Sequence, residues 1–298
     1  MKDGEYGNWA ELPPELTSSI LHRLGAIEIL ENAQIVCTSW RRVCKDPSMR
    51  DLEDLTRLRS CDLKVMCLHA VDRSQGGLLE IDIGHSCTDS LLTYISQSSS
   101  YLRSLKLAMC FYITDKGIVE AVAKLPLLEE LEVSFCSMSG DSLKVAGQSC
   151  PNLRSLKLAV WSQITDKGFV EAVVKLPLLE ELEFSYGSLS KESLKVVGQA
   201  CPNLKTLILK KISYRDCGIG CDDDALAIAE TMHGLRHLQI FGNYLTNTGL
   251  NAILDNCPNL EYLDLRRCFN LHLAGDLEKR CSQRIKYLRR PNDSTHDP

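Results

Sequence analysis

The sequence predicts an α/β solenoid in which parallel strands line a concave face and helices lie outside. Two observations support this prediction. Residues 102–152 are repeated at once as residues 153–203, with roughly 37 of the 51 positions identical. Each copy contains the spacing Leu-x-x-Leu-x-Leu, or a close variant of it, twice, so the underlying period is about 25 residues. This spacing at this period is typical of leucine-rich repeats, each of which contributes one strand and one helix.

The same spacing recurs on both sides of the duplication and defines about eight repeats over residues 78–290. Ile285 and Leu288 are candidates for the start of a ninth unit. One gap between strands is longer than the others, and this predicts a loop over residues 210–224. The first apolar positions of the strands are Leu78, Leu102, Leu128, Leu153, Leu179, Leu204, Leu235 and Leu260. Because one repeat cannot bury its apolar face alone, the units are expected to stack into a continuous core.

Several predicted helices open with a hydroxyl residue followed closely by aspartate. Examples are Thr88-Asp89, Thr114-Asp115 and Thr165-Asp166. A side-chain oxygen at a helix start accepts hydrogen bonds from free amide groups, and a negative charge there suits the helix dipole. These pairs therefore mark the beginnings of the helices. The run Asp222-Asp223-Asp224 is interpreted in the same way, as a solvated helix start.

Composition and charge narrow the classes of protein. The chain has 298 residues with 44% hydrophobic content, which is enough for the core of one or two domains. Its net charge of −5 does not favour nucleic-acid binding. It has no apolar run of membrane-spanning length and no apolar leader at its start, which favours the nucleus or the cytoplasm. The fourteen cysteines are therefore expected to be reduced.

Six of these cysteines occupy two recurring positions of the repeat, three at each position, and are predicted to be small buried hydrophobes. They are Cys110, Cys136, Cys150, Cys201, Cys257 and Cys268.

Residues 8–47 do not fit the repeat and predict three short helices. Pro13 and Pro14 suit the first turn of a helix, and Leu16, Ile20 and Leu21 then follow on one apolar face. So small a unit has little volume for a core. Its surplus of apolar side chains indicates either an interface or a small core that continues into the solenoid, and both interpretations remain open at this point.

The order of residues in this segment resembles the F-box motif. The matching elements are Leu12-Pro13-x-Glu15-Leu16, Ile20-Leu21-x-x-Leu24 and Val36-Cys37-x-x-Trp40-Arg41. The repeats that follow contain Cys-Pro-Asn-Leu and Cys-x-x-Ile-Thr-Asp-x-Gly. Together, over residues 8–290, they look like the plant F-box/LRR-repeat proteins of the Skp1-interacting-partner type.

This resemblance implies the substrate-recognition subunit of an SCF-type E3 ubiquitin ligase. The F-box would dock on a Skp1-like adaptor and through it on cullin, while the repeats capture a protein target for ubiquitination. The contribution of the chain would be proximity and orientation, because the ubiquitin chemistry happens elsewhere. The implied Skp1-binding residues are Leu12, Pro13, Leu16, Ile20, Leu21, Leu24, Val36 and Trp40. The alternative is a leucine-rich-repeat interaction scaffold that does not act in a ubiquitin ligase.

An enzyme is not predicted, since the sequence has no Gly-x-Ser-x-Gly motif, no P-loop and no His-Glu-x-x-His motif. Cys217, Cys221, His233 and His237 come close to a zinc-finger spacing. Residues 234–240, however, already belong to a predicted repeat strand, so no metal site is expected. No cofactor is expected either.

The remaining predictions concern the two ends and the concave face. Residues 48–77 are predicted to form helices that cap the solenoid, and residues 291–298 a disordered tail.

On the concave face, four alternating charges are expected to neutralise one another, namely Lys106, Glu132, Lys157 and Glu183. Lys210, Phe241 and Arg266 are the predicted target-binding residues, because an exposed aromatic ring between two cations is typical of an interaction hot spot. The alternative is a scatter of surface residues without function.

Overall fold

The computed structural model describes residues 12–21, 23, 33, 36–44, 60–85, 87–159, 164–187, 189–211 and 221–295. Two short helices, α1 (Pro14–Leu21) and α2 (Thr38–Cys44), lie in the N-terminal segment. A longer helix, α3 (Ser60–Ser74), precedes the first repeat strand.

The rest of the chain alternates strands and helices. The strands are β1 (Glu80–Gly84), β2 (Ser104–Ala108), β3 (Glu130–Ser134), β4 (Ser155–Ala159), β5 (Glu181–Ser185), β6 (Thr206–Lys210), β7 (His237–Phe241), β8 (Tyr262–Asp264) and β9 (Tyr287–Arg289). The helices are α4 (Asp89–Ser98), α5 (Asp115–Val122), α6 (Gly140–Ser149), α7 (Asp166–Val173), α8 (Lys191–Ala200), α9 (Asp223–Thr231), α10 (Asn247–Asn256) and α11 (Gly275–Arg284).

Within the described residues, nine parallel strands form one sheet in chain order, from β1 to β9. The strands are in register, so that Leu105 pairs with Leu131 and Leu131 with Leu156. Successive side chains of a strand point to opposite faces, which buries these leucines against the helices and leaves the residues between them on the concave face. The predicted leucine-rich-repeat solenoid is confirmed. The candidate ninth unit supplies strand β9, which pairs with β8.

An aspartate at the start of a helix ties its repeat to the next one. Asp89 accepts hydrogen bonds from the backbone N–H of Thr114 at 2.7 Å and from the Thr114 hydroxyl at 2.6 Å. Asp115 accepts the same pair from Ser139, and Asp222 from Thr246. The hydroxyl held in this way also caps its own helix, as Thr114 does by accepting from Gly117 N–H at 3.2 Å. The predicted helix starts are therefore also clamps between repeats.

The two ends of the solenoid are covered. At the first end, helix α3 is the described part of the predicted 48–77 cap, and its Cys67 and Val71 join the repeat core. At the other end, the predicted disorder is wrong for residues 291–295. Pro291 is buried, and its carbonyl oxygen accepts a hydrogen bond from Arg267 N–H at 2.9 Å, because the chain continues alongside the last repeat after β9.

Five of the six predicted structural cysteines are buried, and Cys136 is half-buried. The thiols of Cys150 and Cys201 each lie 3.5 Å from a carbonyl oxygen of the preceding repeat, those of Leu125 and Leu176. Burial raises the pKa of each of these two thiols to about 12. They therefore remain protonated and act as small hydrophobic side chains with a weak donor.

We expect Asp115→Asn to lower the free energy of unfolding by about 1–2 kcal/mol at pH 7, because the side chain accepts charge-assisted hydrogen bonds from Ser139 and Ser142. Burial alone would raise the pKa of Asp115, but these hydrogen bonds outweigh it and lower the pKa. The stabilisation is therefore present above the unfolded pKa of about 4 and is lost as the pH falls through the folded pKa.

Urea denaturation at pH 7 and in acid would test this expectation, with Asp141→Asn as the matched control. Asp141 lies exposed in the first turn of helix α6, where its loss should change stability little. An equal loss in both variants would contradict the clamp.

Candidate protein-interaction surfaces

The N-terminal helices pack around a small core of their own. Helices α1 and α2 contact each other, and the buried side chains between them are Leu21, Trp40 and Val43, together with Ala33. Thr17 is also buried, and its hydroxyl donates to the Pro13 carbonyl oxygen at 3.2 Å. Among the described residues of this segment, the core thus consists of four buried apolar side chains, while Leu16 and Val36 remain exposed.

Seven of the eight predicted Skp1-binding residues are among the described residues, and they divide into three groups. Leu21 and Trp40 are buried and support the helices from inside. Pro13, Leu16 and Val36 are exposed, Leu16 by 55% and Val36 by 52%. Leu12 and Ile20 are half-buried beside the core. Leu24 lies outside the described residues. We call Leu12, Pro13, Leu16, Ile20 and Val36 the N-terminal apolar face.

The concave face between β1 and β5 is acidic. Side chains at the same position of successive strands form a row across this face, and the first and second rows are the first and third positions of each strand. These two rows contain two lysines, Lys106 and Lys157, and six carboxylates, Glu80, Asp82, Glu130, Glu132, Glu181 and Glu183.

Lysines and carboxylates of this face neutralise one another as predicted, but the ion pairs join different residues from the predicted ones. Lys157 Nζ lies 3.5 Å from Glu130 and 3.4 Å from Glu181, both in the first row, rather than pairing with Glu132 and Glu183. Burial would lower the pKa of Lys157, but the carboxylates of Glu181 and Glu130 outweigh it and raise the pKa.

An aromatic row replaces these charges at the other end of the same face. His237, Tyr262 and Tyr287 occupy the first position of β7, β8 and β9. The rings of His237 and Tyr262 stack with centroids 4.0 Å apart, and the Tyr262 and Tyr287 centroids are 6.4 Å apart. Burial lowers the pKa of His237, more than offsetting the nearby carboxylates, so its ring is neutral at pH 7. This row was not predicted from the sequence, although a histidine or tyrosine stands at the first strand position of three consecutive repeats.

The three predicted target-binding residues have different surroundings. Phe241 is half-buried at the end of β7. Lys210, in the same row on β6, pairs with Glu183 at 2.8 Å. Arg266 is buried rather than exposed, which contradicts the prediction. Its guanidinium pairs with the fully buried Asp264 at 2.7 Å, because β8 ends at Asp264 and the chain then turns.

Arg267 takes the expected place of Arg266. Its φ of 61° lies in the left-handed region, and its guanidinium carbon is 5.4 Å from the centre of the Phe241 ring. The corresponding distance from Arg266 is 6.0 Å. The cation that approaches Phe241 from the partly exposed side is therefore Arg267.

The insertion after β6 lies outside the described residues for positions 212–220. The acidic run that follows it is not a simple solvated helix start. Asp222 clamps Thr246, and Asp224 is buried, where it accepts from Asn243 Nδ2 at 2.7 Å and pairs with Lys211. Asp223 alone matches the prediction, since it is exposed and pairs with Lys191 at 3.3 Å.

Among the described residues, no three His, Cys, Asp or Glu side chains are grouped closely enough to hold a metal ion. Of the near-match to a zinc finger, Cys217 lies outside the described residues, and His233 Nδ1 lies 3.0 Å from the Asn256 carbonyl oxygen. In the same parts of the chain, no helix combines the length and apolar character needed to cross a membrane.

Comparison with known proteins accounts for both modules. The family model described as F-box-like matches residues 9–58, and the model described as FBD-associated F-box protein At5g56370, LRR repeats, matches residues 146–219. F-box protein SKIP19 of Arabidopsis thaliana is 55% identical over 302 residues, which covers 100% of this chain and 82% of that protein. The chain belongs to the F-box/LRR-repeat protein family.

Other F-box/LRR-repeat proteins match over nearly the whole chain. Putative F-box/LRR-repeat protein 23 of Arabidopsis thaliana is 51% identical over 99% of this chain and 56% of that protein. Among solved structures, a chain from the yeast Rad7 and Elc1 complex gives a TM-score of 0.51 at 14% identity, covering 78% of this chain and 71% of that one. This last likeness concerns the fold alone.

Arg266→Ala should destabilise the last repeats of this F-box/LRR-repeat protein by about 3–5 kcal/mol, because it leaves the buried Asp264 carboxylate without its cation. Arg267→Ala should cost about 1 kcal/mol or less, the size of a partly exposed cation–π contact. Hydrogen exchange over residues 260–290 would measure both effects. Similar losses of protection in the two variants would contradict the structural role of Arg266.

Proposed function

We propose that this protein is the substrate-recognition subunit of an SCF-type E3 ubiquitin ligase. The observation that carries the proposal is the N-terminal apolar face, where Leu16 and Val36 lie exposed beside the described core of Leu21, Ala33, Trp40 and Val43. An apolar face of this kind on so small a unit is typical of a docking surface. The family supports the same role, since its members combine an F-box with leucine-rich repeats.

A Skp1-like adaptor is the proposed partner of this face, with cullin bound through the adaptor. Burying an apolar side chain of the size of leucine or valine contributes about 1.5–3 kcal/mol. Leu16 and Val36, helped by the half-buried Leu12 and Ile20, therefore supply enough driving force to offset part of the cost of association. Leu21 and Trp40 hold the two helices in place and act through the exposed residues.

The solenoid is proposed to capture the protein target on its concave face near Lys210, Phe241 and Arg267. The role is that of an adaptor rather than an enzyme. Holding a target in a fixed place next to a charged ubiquitin-conjugating enzyme raises its effective concentration, which is the whole contribution that this arrangement needs to make. We place the protein in the nucleus or cytoplasm, where its many free thiols would stay reduced.

The double variant Leu16→Asp/Val36→Asp should weaken binding to a Skp1-like adaptor by about a hundred-fold or more, because it removes two buried apolar contacts at the interface and places two charges there. Ser19→Asp is the matched control, since Ser19 is also exposed on helix α1 but lies outside the apolar face. Isothermal titration calorimetry with the purified adaptor would measure the three affinities.

Circular dichroism should show that the double variant stays folded, because both positions are exposed. If the native chain does not bind the adaptor, or if the double variant binds as tightly as the native chain, the ligase role fails. The interaction scaffold outside a ubiquitin ligase then becomes the better interpretation.

A further inference from the structure

The two halves of the solenoid differ in charge. Residues 232–290 contain nine Arg and Lys but five Asp and Glu, whereas the whole chain has a net charge of −5. The C-terminal repeats therefore form a positive region on a negatively charged protein. The concave face follows the same division, since the strands from β1 to β5 present the six carboxylates and two lysines described above.

The positive charges of the C-terminal repeats frame the aromatic side chains. Lys286 Nζ lies 5.1 Å from the centre of the Tyr287 ring, and Lys286, Tyr287 and Arg289 are all exposed. Arg267 lies against Phe241, at the opposite end of the strands. Rings that are 57% exposed, as Tyr287 is, offer apolar contact area together with a polar tip. Aromatic residues and arginine are the residue types most enriched at protein-binding hot spots.

The dimensions of this surface suit one short extended chain. His237 and Phe241 lie on the same face of β7, four residues apart, which corresponds to about 13 Å along the strand. The first-row rings span β7 to β9, and three adjacent strands cover about 10 Å. A segment of about four to six extended residues, at roughly 3.3 Å each, crosses such a surface.

We propose that this C-terminal aromatic surface, formed by His237, Phe241, Tyr262 and Tyr287 and framed by Arg267, Lys286 and Arg289, binds an extended acidic segment that carries at least one large apolar side chain. The carboxylates of the segment meet the framing cations, and the apolar side chain packs between the rings. The proposal rests on the proposed function in one respect, namely that the segment belongs to the target protein.

The acidic half of the concave face decides between a peptide and a nucleic acid. Cations interleaved with aromatic rings also bind single-stranded nucleic acid. The first two rows of β1–β5, however, carry six carboxylates against two lysines, and β5 lies two strands from β7, about 10 Å away, which is close to the screening length at physiological salt. A long polyanion that extends along the concave face meets this repulsion, whereas a short acidic segment confined to β7–β9 avoids it.

A library of random twelve-residue peptides displayed on phage would test the proposal, with the full chain alone as bait. Sequencing should show that the selected peptides are more acidic than the starting library and contain an aromatic or large aliphatic residue. The same selection is then repeated on the double variant Lys286→Glu/Tyr287→Ala, whose two positions are exposed. The acidic bias should disappear from this second selection.

The control variant is Lys116→Glu/Lys167→Glu, which reverses two exposed charges on the outer helices α5 and α7. It should select the same acidic peptides as the native chain. The best selected peptide, made synthetically, should bind the Lys286→Glu/Tyr287→Ala variant at least about ten-fold more weakly than the control variant. Circular dichroism of all three proteins would check that each one is folded.

Several outcomes overturn the proposal. They are a selection without acidic bias, an acidic bias that survives Lys286→Glu/Tyr287→Ala, and binding of a twenty-nucleotide oligothymidine that is tighter than that of the best peptide. Adaptor binding is measured on the same preparations. If the chain captures acidic peptides but does not bind the adaptor, the ligase role is contradicted and the proposed binding surface is not. If the chain binds the adaptor but captures no acidic peptides, the proposed surface is contradicted and the ligase role is not.

Discussion

A repeat of this protein can bury its strand leucines only between its two neighbours, and this stacking constrains everything else in the structure. The strands stay in register from β1 to β9, so positions at the same offset in each repeat form continuous rows. The aspartates at the helix starts reinforce the same alignment on the outside, since Asp89, Asp115 and Asp222 each bind the cap of the next helix. Strand pairing and helix capping thus hold the same spacing.

This constraint also explains how surfaces with different chemistry arise on one sheet. Residues at the same position of each repeat line up in a row across the sheet. The duplication of residues 102–152 therefore placed the glutamates of β3 a second time on β5 and built an acidic face. The repeats after the duplication have different residues at the same offset, and there the row consists of His237, Tyr262 and Tyr287. The polar and aromatic halves are therefore products of one geometry with two sets of side chains.

The ends of a stack lack a neighbour on one side, and the chain compensates at each of them. Helix α3 adds apolar side chains to the core before β1. After β9, Pro291 and the carbonyl of Ser294 contact the last repeat, and the latter accepts a hydrogen bond from the buried Arg266. In the N-terminal helices, Leu16 and Val36 remain exposed beside the described core of Leu21, Ala33, Trp40 and Val43.

The sequence by itself determined the solenoid, its repeat boundaries and the helix starts, because each depends on a spacing that local sequence displays, and the F-box followed from resemblance to a known motif. Only the tertiary structure decided which side chains are accessible. Arg266 follows the strand pattern of an exposed residue, yet it is buried against Asp264 because β8 is short and residues 291–295 fold back beside it. Lys157 pairs with Glu130 and Glu181 in the first row of the neighbouring strands rather than with the carboxylates of its own row. Such choices depend on the space left by neighbouring repeats, which no single segment of the sequence contains.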